Sequence, residues 1–204
     1  MAGRQQGIAL LISMMLLIMV MLLGVSAAQL CLQGEKAARG ERDREVAFVA
    51  AEDALADAEL DIQGGPDGKG NPARAAAFGP DAAPFTSECA NADVAAAGLR
   101  ARAAAGKPPV WQSVDLSGNE DGGACTATHG AYTAAAMPTG EGFAPFKKPR
   151  YLIERMACQQ PGDDAAAGVA SRYCYRVTVI GFGAKPGTEV VLQSVFSKPE
   201  SGGG

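Results

Sequence analysis

Five cysteines and a single histidine are the side chains of this chain with the most chemistry open to them. Cys31 stands near the N-terminus, and Cys89, Cys125, Cys158 and Cys174 follow at long, unequal intervals. Metal centres are built from clustered donors such as a CxxC pair; no such pair occurs, and His129 sits by itself in Thr128-His129-Gly130-Ala131. Four thiols spaced this way in an exported domain imply two disulfides. Cys158 and Cys174 bracket the loop QQPGDDAAAGVASRY between two strand-like runs, which could bring them within bonding reach and leave Cys89 and Cys125 as the second pair. The cross-link would restrain that loop by about 3 kcal/mol in the chain-entropy account. Sequence alone leaves the connectivity open. Cys31 reads as an apolar residue with a free thiol.

Catalytic chemistry finds little support. A histidine needs a nucleophile and an acid placed around it, and His129 in its Gly- and Ala-rich surroundings reads as an exposed loop residue. GxSxG, HExxH and phosphate-binding glycine loops are absent. The segment DLSGNED from Asp115 to Asp121 has calcium-loop spacing, but Glu120 occupies the position where that loop requires Gly. Glu52, Asp53 and Asp57 read as a solvated helix face, as do the mixed charges at 41–45. The expectation is a non-enzymatic protein without cofactor or metal. With a net charge of −4, and Arg4 the only charge before Glu35, the rest of the chain is acidic and offers no basic patch for nucleic acid.

The elements that would carry these residues begin with an apolar run. Residues 8–28 contain no charge and no Pro and directly follow the leader MAGRQQG. As a helix they would span roughly 32 Å, close to the hydrocarbon thickness of a bilayer. Three readings compete: a cleaved secretory signal with Val25-Ser26-Ala27 as its small-residue site, a simple anchor with Arg4 on the cytoplasmic side, or an assembly segment whose boundary is Gln6-Gly7-Ile8. The continuation weighs against the first. Residues 35–45 are densely charged with both signs, and Ala47, Ala51, Ala54, Leu55, Ala58 and Ile62 then recur at helical spacing until Gly64-Gly65-Pro66. The pattern predicts one helix over residues 8–62.

Residues 64–149 are rich in Gly, Pro and Ala and predict long loops, with weak helical character at 90–105 and a short strand or docked loop at 109–114. Residues 150–156, 173–180 and 188–197 read as strands, the second alternating with period two, and 181–187 as the turn before the last. A three-stranded antiparallel meander laid on the amphipathic helix is the simplest architecture.

A basic leader ending in Gly, an apolar N-terminal helix half and an amphipathic half laid on a globular head resemble the layout of type IV pilins. The segments RQQGIALLI at 4–12 and RDREVAFVAAEDAL at 42–55 resemble the N-terminal signature of the PilX minor pilins, and residues 151–154, 175–179 and 191–196 are similar to that family's closing strands. The resemblance covers both ends and leaves the middle uncovered. It implies an α+β, pilin-like fold divided into a leader (1–7), a transmembrane assembly half (8–34), an amphipathic half (35–63), a variable loop-rich region (64–149), C-terminal strands (150–198) and a tail (199–204).

The resemblance also implies cleavage by prepilin peptidase between Gly7 and Ile8, methylation of the new Ile8 amine, and a place in the inner membrane with the head in the periplasm, then in the pilus at the cell surface. Other minor pilins, the major pilin and a large pilus tip adhesin are the implied partners. One departure matters: major pilins carry Glu at the fifth mature position, where this chain has Ile12. Without that carboxylate a neighbouring subunit's amine goes unneutralised, which suits a subunit at a filament end. A type II secretion pseudopilin, or an exported ligand-binding domain behind a signal peptide or simple anchor, remain the alternatives.

Overall fold

The structure, a computed structural model, describes residues 6–65, 71–79, 84–89, 94–119, 125–157 and 173–198. The chain forms two compact units, Met1–Arg42 and Asp43–Gly204. Helix α1 covers Gln6–Gln63. It holds no Pro, and the strong helix formers Leu, Met, Ala and Glu dominate it, so Gly24, Gly34 and Gly40 do not interrupt it. Gly64 and Gly65 then adopt φ of 100° and 87°, and the Gly65 N–H returns to Leu60 O at 2.7 Å, closing the helix with left-handed residues that only Gly takes without strain.

The second unit is a mixed sheet with the later part of α1 packed on it. Its strands are β1 (Leu99–Ala101), β2 (Ala127–Thr128), β3 (Arg150–Ala157), β4 (Tyr173–Phe182) and β5 (Glu189–Ser197), in the order β1-β3-β4-β5, with β2 also pairing with β3. The C-terminal meander expected from the alternation is present: β3, β4 and β5 pair antiparallel in unbroken register. Strand β1 adds in parallel, Leu99 opposite Ile153, and makes the sheet mixed. The run at 181–187 is not all turn, because β4 continues through Gly181 and Phe182.

The middle of the chain carries short elements where loops were expected. Helix α2 (Pro72–Ala77) starts from Asn71, whose Oδ1 accepts from the Ala73 and Arg74 N–H groups at 3.0 and 3.3 Å, with Pro72 at the first position, where a missing N–H costs nothing. Residues 94–96 form one 3-10 turn, and the chain then extends into β1 rather than continuing the weak helix expected at 90–105. Val110–Ser113 is a single helical turn, α3, not a strand. Local propensity in such short, Ala-rich segments is too weak to oppose tertiary packing.

The predicted helix stripe forms the core, except that Leu55 is only partly buried against it. Ala47, Ala51, Ala54, Ala58 and Ile62 are fully buried, and all but Ala47 cluster with Tyr151, Ile153, Tyr175, Val177 and Val179, which share one sheet face. Phe78 and Phe85 close one side around Tyr175, with ring centroids 5.4 and 6.0 Å from it. Alanines let the helix come very near the strand. A Cβ placed on Gly181 would lie 2.6 Å from the Ala51 nitrogen and 2.8 Å from its Cβ, so the sheet needs Gly there. Gly181→Ala should therefore destabilise the head by about 1–3 kcal/mol, as overpacking against backbone does, read as a lower chemical-denaturation midpoint of the detergent-solubilised chain. An unchanged midpoint would show that the close approach is not required.

Candidate functional site: an uncovered stem and a clamped head

From Ile8 to Leu32 the first unit carries no charge and is apolar on every side. Every Leu, Ile, Met and Val from Ile8 to Leu32 lies 48–70 % exposed. This helix is long and apolar enough to cross a membrane, with a mean hydropathy of 2.9 over its most apolar stretch. Its two hydroxyls are satisfied within the helix, Ser13 donating to Leu10 O at 2.9 Å and Ser26 to Leu22 O at 2.8 Å, which is what a surrounding without water demands. Gly7 stands in the first turn with open space where a side chain would begin, and Ile8 follows it, 63 % exposed. Ile12 is exposed too. Cys31 is a free, exposed cysteine.

The head is held by three carboxylates, two of which, Asp43 and Asp57, the sequence reading assigned to a solvated face. Asp43, Asp57 and Asp61 are all buried. Asp61 receives the Arg74 guanidinium through Nε and Nη2, the latter at 2.8 Å, and the Tyr151 hydroxyl at 3.0 Å. Arg74, 1 % exposed, donates through its remaining nitrogen to Ala95 O and Ala97 O, both at 2.8 Å, and stacks 3.9 Å from the Tyr132 ring centroid. One guanidinium thus joins α1, α2, the 3-10 turn and the loop after β2. Asp57 accepts from the Gly130 N–H at 2.8 Å and from the Thr133 hydroxyl. Asp43 accepts from the Ala184 and Lys185 N–H groups at 2.7 and 3.1 Å, fixing the β4–β5 turn.

Their electrostatics differ. Desolvation pushes the Asp61 carboxyl above its ordinary value, with the Arg74 ion pair and the Tyr151 hydroxyl opposing it. Bonding by the Thr188 side chain, helped by the turn's N–H groups, holds the Asp43 carboxyl below its ordinary value. A signal for all three stood in the sequence: Asp43 precedes Ala47 by four residues, and Asp57 and Asp61 each lie three beyond an alanine of the stripe.

His129 is not the exposed loop residue expected; it is 1 % exposed, packed with Nε2 3.1 Å from the Asp53 carboxylate. Among the described residues no three His, Cys, Asp or Glu side chains are placed to hold a metal. In the calcium-like segment the Lys147 ammonium donates to Ser117 O at 2.9 Å and Asn119 Oδ1 at 2.8 Å, occupying oxygens a cation would use; Glu120 and Asp121 lie outside the described residues. A disulfide joins Cys89 and Cys125, tying the segment before β1 to that before β2. Cys174 is also disulfide-bonded, while Cys158 lies outside the described residues.

Removing one partner of the Arg74–Asp61 pair strands the other charge in the core. Arg74→Met should cost about 3–5 kcal/mol in denaturant titration, and adding Asp61→Leu should recover most of it. Equal losses in the single and double variants would refute the clamp. For Asp43, a carboxyl held low when folded binds fewer protons folded than unfolded, so its stabilisation is present above about pH 4 and lost as pH falls through the folded value. Asp43→Asn should remove that part of the acid limb in unfolding midpoints measured from pH 6 to 2.

Comparison with known proteins adds to this geometry. No curated protein and no solved structure matches the chain. The family model of the PilX N-terminal region matches residues 6–56, and that of the C-terminal region of the type IV pilus assembly protein PilX matches residues 74–198. The first match takes in the uncovered stem with the start of the buried stripe, and the second takes in Arg74 and all five strands. On both ends, the chain belongs to the PilX family of type IV pilus assembly proteins.

Proposed function

We propose that this chain is a minor pilin that helps to prime type IV pilus assembly and stays at or near the tip. The observation that carries the reading is the uncovered stem, with apolar side chains exposed along its whole length; Ile12 stands where the resemblance to pilins calls for a carboxylate facing a neighbour's amine. Such a surface is stable in lipid, or against other apolar helices, and moves between the two at small cost because both surroundings are apolar. Residues 1–7 would be a leader removed by prepilin peptidase at Gly7, and Ile8 the methylated N-terminus. Residues 8–34 would be the part exchanged between inner membrane and filament, 35–63 the bridge to the head, and 64–149 the region presented outward. Before assembly the head would lie in the periplasm; afterwards it would be at the cell surface. Other minor pilins, the major pilin and a large tip adhesin are the partners this reading calls for.

Mass spectrometry of the mature protein should find an N-terminal methyl-Ile8; an N-terminus at Ala28 would defeat the reading. Replacing Gly7 by a bulky residue should leave full-length protein in the inner membrane. Ile12→Glu supplies the missing carboxylate, and should raise the amount of this chain per unit of major pilin in sheared pili several-fold. An unchanged ratio would detach the tip placement from Ile12.

A further inference from the structure

A groove runs between α1 and the loop 137–145, wholly within the second unit. Its floor is one face of the helix, where Glu45, Val46, Val49, Ala50 and Asp53 recur at helical spacing. Its other wall, residues 137–138 and 143–145, carries Met137, Phe143 and two prolines and no charge. The space between them is about 420 Å³, within the range of ligand-binding clefts.

The loop wall is shaped by its own backbone. The Gly140 N–H donates to Pro145 O at 2.8 Å and the Ala144 N–H to Glu141 O at 3.0 Å, folding the loop back on itself. Gly140 and Gly142 allow this fold with left-handed φ of 82° and 61°. The Phe146 N–H donates to Gly183 O at 2.8 Å and ties the end of the loop to the β4–β5 turn. The groove nonetheless leaves large apolar side chains in water, Val49 at 53 % and Phe143 at 65 % exposure.

Glu45 and Asp53 are the charged groups of this lining. They stand eight residues apart on one helix, roughly 12 Å along its axis, one at each end of the apolar floor. Among the described residues neither is paired with a Lys or Arg. The buried His129 ring lies against Asp53, with Nε2 3.1 Å from Oδ2. An apolar trough with a carboxylate at each end complements an apolar body that carries two cations about as far apart. An extended chain rises about 3.3 Å per residue, and its alternate residues share a face. Basic residues four apart on such a chain therefore lie about 13 Å from each other, with the midway side chain on the same face.

We propose that the groove receives an extended segment of a partner protein with two basic residues four apart and a large apolar residue midway between them. The cations meet Glu45 and Asp53, and the apolar side chain fills the space between Val49 and Phe143. A second copy of this chain does not supply such a segment. Its only Lys or Arg residues four apart are Arg172 and Arg176. Arg176 is bonded to Glu154 at 2.7 and 2.8 Å, and the midway residue is Cys174, buried and disulfide-bonded. Lys36 and Arg44, eight apart on α1, span a similar distance, but Ala37 and Gly40 between them on that face are too small to fill the groove. The inference stands on the head alone and does not depend on tip placement.

The test uses the full-length chain in detergent and, as probe, the end-blocked peptide Lys-Thr-Leu-Thr-Lys, with binding read from the NMR methyl signal of Met137 in the groove wall. Glu45→Gln and Asp53→Asn should each weaken binding about three- to fivefold, the size of an exposed ion pair. Glu45 is exposed and has no bonding partner among the described residues, so its replacement spares the fold. Glu52→Gln, exposed on the same helix but outside the groove lining, should leave binding within twofold. Replacing the peptide's Leu by Ser should cost about tenfold, and a peptide with its two Lys adjacent should bind no better than one with a single Lys. Absent binding, binding that Glu45→Gln or Asp53→Asn leaves unchanged, equal weakening by Glu52→Gln, or indifference to Lys spacing would overturn the proposal. So would a dimer of the free chain that Glu45→Gln disperses, since the occupant would then be a second copy.

Discussion

A helix face made almost entirely of alanine is what the head closes on. Alanine brings little apolar area, but it lets a backbone come within contact of another backbone, and Gly181 in β4 meets it from the other side. On the helix side such a seam offers few long side chains, Ile62 and the partly buried Leu55, to interlock with the sheet. The buried aspartates supply the register. Asp43 binds the β4–β5 turn, Asp57 the loop after β2, and Asp61 the Arg74 hub with Tyr151, so each segment is anchored at its own height on α1. Burying Asp61 costs desolvation free energy, offset by the guanidinium and the phenol; the gain is in which arrangement forms, more than in how stable it is.

Helix α1 serves two surroundings with one backbone. From Ile8 to Leu32 its large side chains are exposed all round, a composition that only lipid or other apolar helices can cover. From Asp43 onward it shows a buried stripe and an acidic outer face, the pattern of a helix on a water-soluble domain. The buried core of the head contains no residue of the stretch from Ile8 to Leu32, so that stretch can change surroundings without disturbing the head's packing.

The sequence carried the repetitive features and missed the singular ones. The stripe at Ala47, Ala51, Ala54, Ala58 and Ile62 and the alternation in β4 were readable because each repeats with its element's period. Asp57 and Asp61 sit within the same series, yet a carboxylate there reads as solvated unless its partners are known, and Arg74, Gly130, Thr133 and Tyr151 lie 13 to 90 residues away. His129 was misjudged for the same reason: glycine neighbours suggested a surface loop, whereas the fold buries the ring beside Asp53. Gly181 looked like the start of a turn because another glycine follows two residues later; its pairing with Val190 places it in β4, where it meets α1.

Where the subunit sits in the filament tests the whole account most directly. Antibody raised against the head, coupled to gold and applied to intact pili, should label one end of each fibre and leave the shaft bare. Regular labelling along the shaft would contradict the account, because it would mean that a stem with Ile12 in place of a carboxylate packs in the filament interior as readily as any other.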